Sequence, residues 1–174
     1  MASFKEERGS AIIEFTFAGV TVIILLLVIF EMCLAMWSYH TLASAVEKGA
    51  IYASTKGQDC DPNYSPNDCR VSVSDIVSRV LQAGVGLDPN RLNVTLQSSG
   101  GEVPCNPASS CLSGSYTTTL WPPNSDYVPN IDYVEISASY PVPVAIMSLF
   151  WPGQSLAGIG NIKFSASSLQ LVQF

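Results

Sequence analysis

The sequence predicts an α+β fold. A long N-terminal transmembrane helix continues into a small extracytoplasmic head with one further helix and an antiparallel sheet of about four strands. Three observations predict it. Gly9 to Trp37 is one long apolar run. Four of the five cysteines fall in two close pairs, Cys60/Cys69 and Cys105/Cys111. The residues after Gly57 show one short helical pattern and several runs that alternate with period two.

The 174 residues suffice for one compact domain and not for two large ones. Apolar residues make up 48% of the chain and charged residues 13%, and the apolar excess lies before residue 38. The net charge is −6. After Ser38, six Lys/Arg stand against ten Asp/Glu with no basic cluster. This speaks against a stripe that binds nucleic-acid phosphates.

The apolar run is long enough to span a bilayer. Phe15 to Phe30 carries no charge, and the apolar character extends from Ala11 to Trp37. As a helix this stretch is about 40 Å long, against ~30 Å for a hydrocarbon core. Glu14 and Glu31 are 17 residues apart. They fall near the two faces, where a carboxylate is less costly than at the midplane. Trp37 and Tyr39 suit the aromatic belt on the far side. An ordinary cleaved signal is the competing reading. Its apolar core is shorter, about 7 to 15 residues, and it ends in a small-x-small site. Here Cys33-Leu34-Ala35 is a poor site, with Glu31 just before it. Phe30-Glu31-Met32 also makes Cys33 a poor lipidation site.

Lys5 and Arg8 precede the run, and Lys48 and Lys56 follow it, so charge orients it weakly. The cysteines are the stronger signal. Their spacings, eight and five intervening residues, do not match zinc motifs, and the single His40 is distant from both pairs. Two local disulfides, Cys60–Cys69 and Cys105–Cys111, in an oxidising compartment are expected. Free thiols in a reducing compartment are the alternative. The disulfide reading puts the head outside the cytoplasm and the N-terminus inside.

Arg8-Gly9, Ser10-Ala11-Ile12-Ile13 and Glu14-Phe15 then carry a family resemblance. This wording, followed by a long apolar helix, resembles the class III signal of type IV pilin-like proteins. It is most similar to the TadE-like pseudopilins of the tight adherence (Tad/Flp) pilus system. The resemblance implies cleavage by a prepilin peptidase between Gly9 and Ser10, with Glu14 as fifth residue of the mature chain. Major Flp pilins are much shorter and usually carry tyrosine after the glutamate; Phe15 fits a pseudopilin better. The chemistry is coherent by itself. Glycine offers a permissive backbone to a peptidase. Cleavage frees an amine at Ser10, charged near neutrality. Glu14 lies one turn along, where the helix dipole favours a carboxylate. In an assembly it would pair with a neighbour's Ser10 amine; otherwise it marks the helix start at the interface.

The implied division is a cytoplasmic leader (1–9), a transmembrane helix (10–38), a helix extension (39–57) and an extracytoplasmic head (58–174). Implied partners are the bacterial inner membrane, a prepilin peptidase, and other pseudopilins, the pilus fibre or the membrane platform. The competing function is an unprocessed, membrane-anchored binding module outside any pilus.

Along the head, Tyr39, Leu42, Val46, Ala50 and Ala53 keep helical spacing, and Gly57 is a plausible terminator. Ala45-Gly49-Ala53 is a row of small residues for close packing, against a partner helix or against the chain's own sheet. Residues 58–70 read as a solvated loop. Asp59, Asp61 and Asp68 lack EF-hand spacing. Ser72 to Leu81 reads as a helix capped by Ser72 or Ser74 and ended by Gly84. Arg91 to Gln97 alternates as a half-buried strand, and Ser98 to Gly114 reads as a loop. Tyr116 to Leu120 is Thr-rich and predicts a short strand broken by Trp121-Pro122-Pro123. Asp132 to Tyr140 is the clearest strand. Ile162 to Val172 is the last, and its phase switch predicts a bulge near Ser167. Val144 to Trp151 is too short to span a bilayer; it is an exposed patch or a loop folded over the core.

No catalytic constellation emerges. A Ser–His–Asp arrangement would need His40, which sits beside the membrane. Asp126, Asp132 and Glu135 mark only a strand entry. No catalytic residue, metal ligand or cofactor is expected, and the chain is read as no enzyme.

Overall fold

A computed structural model describes residues 6–56, 70–123, 132–143 and 161–173. Helix α1 spans Glu6–Thr55 and is 50 residues long, about 75 Å. Its last third is amphipathic, and Phe15 to Phe30 is uncharged and apolar on all sides. Leu42, Ala45, Val46, Gly49, Ala50 and Ala53 are buried, at the spacing of one helix face. From Ala11 to Tyr39 no side chain is fully buried.

Helix α2 (Val73–Ala83) follows the two-residue strand β1 (Val71–Ser72). Ser72 is its N-cap: the hydroxyl accepts from the Asp75 amide at 3.3 Å, and Asp75 Oδ2 accepts from the Ser72 amide at 3.0 Å. Such reciprocal capping satisfies two donors that no helical carbonyl can reach. At the other end the Gly84 amide donates to Val80 O at 2.8 Å. Val73, Ile76, Val77 and Val80 form the buried face.

The main sheet has the order β3-β2-β5-β6, antiparallel throughout, from β2 (Asn93–Ser98), β3 (Gly101–Cys105), β5 (Tyr133–Pro143) and β6 (Asn161–Leu171). A second ladder joins β1 to β4 (Leu120–Trp121). The expected four-stranded sheet is thus present, with one α-helix besides α1 among the described residues. Val94, Leu96, Val134, Ile136, Ala138 and Tyr140 line the inner face, against which α1 lies along β5 and β6. α2 packs beside α1 and against two 3₁₀ turns, Ala108–Leu112 and Gly114–Thr117. Trp121 is fully buried and is among the largest core side chains.

Three expectations are corrected. The Ser98–Gly114 segment is not all loop, because Gly101–Cys105 pairs with β2 from Ser98↔Gly101 to Val94↔Cys105. Tyr116–Thr119 is not a strand; only Leu120, at its end, enters the short strand β4. The Thr117, Thr118 and Thr119 hydroxyls donate to the Gly114 and Ser115 carbonyls at 2.8 to 3.0 Å. These local bonds favour a 3₁₀ turn over an extended ladder. There is no bulge at Ser167, since β5 and β6 stay in one register from Tyr133↔Leu171 to Pro143↔Asn161. Leu169 and Leu171 instead point to the outer face and are exposed.

Cys105 and Cys111 form a disulfide, with Cα atoms 5.6 Å apart and both residues buried. It ties the end of β3 to the first 3₁₀ turn. The expected Cys60–Cys69 pair, the Asp59/Asp61/Asp68 loop, Gly57, Asp126 and the Val144–Trp151 stretch lie outside the described residues.

Candidate functional site

The N-terminal two-thirds of α1 is the part that the head leaves uncovered. None of its most apolar 18-residue window is buried. Phe15 is 80% exposed and Phe17 is 74% exposed. Side chains this apolar, on all sides of a helix, do not suit water. Among the described residues α1 is the one helix long and apolar enough to cross a membrane. Two threonine hydroxyls in it are already satisfied. Thr16 donates to Ile12 O at 2.8 Å and Thr21 to Phe17 O at 2.9 Å. Neither hydroxyl would enter lipid without a partner.

The sequence-predicted residues sit at the start of this helix. Gly9 and Ser10 belong to α1 by backbone. Glu14 and Phe15 are exposed. Glu14 lies four residues after Ser10, about 6 Å along the axis and on the same side. Glu31 is half-buried. The small row Ala45-Gly49-Ala53 faces inward. A methyl group at Gly49 would overlap Val80 Cγ2 and lie 3.4 Å from Ile136 Cδ1. The row therefore serves the chain's own helix and sheet and not a neighbouring subunit.

Contacts along α1 fix the polarity of the head. Gly84 lies against Ala45, and Gly86 lies against Trp37. α2 thus descends towards the apolar span. β6 runs the other way: Phe164 stacks edge-on with Tyr39 at 5.8 Å between centroids, and the Gln173 amide donates to Ser54 O at 2.9 Å. The turn after α2 and the start of β6 therefore mark the end of the head nearest the span.

The family comparison gives the span a relative. Residues 9–50 match the TadE-like protein family. No curated protein and no solved structure matches. The TadE-like segment begins at Gly9 and includes Ser10, Glu14, Phe15 and the whole apolar run. It ends at Ala50, within the face of α1 that packs on the head. The resemblance read from RGSAIIEF is thus matched over the same stretch.

Sequence reasoning missed one surface cluster. Arg79 from α2 sits 5.0 Å from the Tyr52 ring centroid, and Lys56 sits 5.4 Å from it. Arg79 and Tyr52, with Lys48 and Ile51, line an open groove between α1 and α2. Lys48, Tyr52 and Lys56 are four residues apart, a spacing visible in sequence, but Arg79 arrives only through the fold.

Proposed function

We propose that this protein is a pseudopilin-like component in the assembly of a Tad/Flp adhesive pilus. It is anchored by a single pass in the bacterial inner membrane, with its N-terminus in the cytoplasm and its head outside. A prepilin peptidase cuts after Gly9, and the new Ser10 amine and Glu14 serve docking between subunits. Its role is structural and not enzymatic. The observation that carries this reading is the TadE-like match, which opens at Gly9 on a helix whose apolar surface is uncovered. The Cys105–Cys111 disulfide supports an oxidising compartment for the head.

Glu14 has a physical reason to act in assembly. A carboxylate at the membrane face is less costly beside an opposite charge than alone. A neighbour's Ser10 amine supplies that charge in one axial stagger and not in others. Mass spectrometry of the membrane-extracted protein is expected to show a chain starting at Ser10. A chain starting at Met1 or Ala2 overturns the processed reading and leaves an unprocessed anchored module. With a start at Ser10, sheared surface material should contain the processed form if the protein enters a fibre.

A further inference from the structure

Two apolar side chains stand exposed at the end of the head nearest the span. Val85 is 68% exposed and Ile162 is 48% exposed. Neither position is accidental in its geometry. Val85 sits at the tip of a turn closed by the Leu87 amide donating to Gly84 O at 3.0 Å. Gly86 follows at φ +88°, the value a type II turn requires at its third residue. The same glycine lets the turn lie on the Trp37 indole; a methyl group there would come within 2.6 Å of Trp37 Cη2. Leu87 is buried and holds the turn from the other side. Val85 is therefore presented outward by a fixed turn.

Ile162 is placed by a separate contact. It precedes Phe164 by two residues on β6, so both belong to one face of the strand. Phe164 stacks on Tyr39. Trp37 and Tyr39 are two residues apart on α1, or about 200° around its axis. The Gly86 turn and the start of β6 thus flank α1 on opposite sides at one height. That height follows from the helix. Trp37 lies 23 residues after Glu14, about 35 Å along the axis, against ~30 Å of hydrocarbon. With Glu14 at one membrane face, Trp37 and Tyr39 lie at the other.

We propose that the Gly84–Leu87 turn and the start of β6 form a bilayer-contact collar, with Val85 and Ile162 entering the lipid interface on two sides of α1. The occupant is the lipid surface, because the two residues continue the apolar surface of α1 that ends at Trp37. The collar rests on α1 spanning the membrane. It fixes the tilt of the head, since two contacts flanking a helix resist rocking that one would allow.

The test uses the full-length chain in proteoliposomes of phosphatidylethanolamine and phosphatidylglycerol. In a Cys33→Ser background, Val85→Cys, Ile162→Cys, Leu26→Cys and Glu102→Cys are nitroxide-labelled singly, and the signal of the background chain is subtracted. Collision with oxygen, which favours lipid, is compared with collision with a water-soluble nickel chelate. Val85 and Ile162 are expected to show an oxygen-to-nickel ratio several-fold above that of Glu102, approaching that of Leu26. A ratio like Glu102 at either position, with Leu26 in lipid, overturns the collar alone. A water-like ratio at Leu26 overturns both the span and the collar.

Discussion

Gly49 on α1 and Val80 on α2 meet so closely that a methyl group on Gly49 would overlap Val80 Cγ2. Val80 is itself fully buried. Alanine at Gly49 would gain about 0.5–1 kcal/mol of helix propensity. Overpacking in a closed core typically costs ~1–3 kcal/mol, so the loss is expected to prevail. Gly49→Ala should lower the thermal midpoint of the detergent-solubilised protein. Val80→Ala placed on Gly49→Ala should recover part of that loss, as a double-mutant cycle would register.

Glu14→Ala should leave membrane insertion intact, because it removes a charge from an apolar run. Surface pili should fall sharply in a strain carrying it as the sole copy. Glu14→Gln separates charge from shape and is expected to fail in the same way. Normal piliation in both variants, with the proteins present in the membrane fraction, would mean that Glu14 has no docking role.

Replacing Cys105 and Cys111 together by alanine opens a short closed loop within the head. The chain-entropy estimate for a loop of this length is about 2 kcal/mol. Denaturant unfolding should show a loss of that order without loss of the fold. Reductant should destabilise the parent protein and leave the double variant unaffected by this bond.

Gly86 combines two demands that can be measured apart. Its φ is in the left-handed region, where any other residue is strained by about 1–2 kcal/mol. Its contact with Trp37 adds a collision. Gly86→Ala is expected to destabilise the head, and Trp37→Ala in that background should relieve the collision and not the strain. Trp37→Ala alone should be mild, since Trp37 is half exposed.

Much of this architecture is readable from apolar spacing. The inward face of α1, the buried row of α2 and the alternation of Val134, Ile136, Ala138 and Tyr140 all follow their periods. The Ser72 cap is likewise legible from a serine followed three residues later by a carboxylate. β3 escapes this logic. It contains Gly101 and Pro104, and Pro104 is tolerated because β3 is an edge strand with one unpaired side. The Thr-rich stretch misleads because strand propensity loses to hydroxyl bonds with nearby carbonyls. On β6, Leu169 and Leu171 suggest a change of phase that the register does not show. Trp121 reads as a strand breaker beside Pro122, whereas the fold buries it. The Gly9–Glu14 site is legible by motif, while the Tyr52 cations and the Val85 turn depend on contacts between distant segments.

α1 runs from Glu6 to Thr55 with no break, so its apolar stretch and the face that packs on the head share one shaft. Its angular phase is then a property of its length. Removing one residue between Leu25 and Phe30 would turn the head by about 100° relative to Glu14 and draw it in by ~1.5 Å. Adding seven residues would restore the phase to within about 20° and raise the head by ~10 Å. Any partner that holds Glu14 and the head at once would read that angle as directly as it reads a side chain.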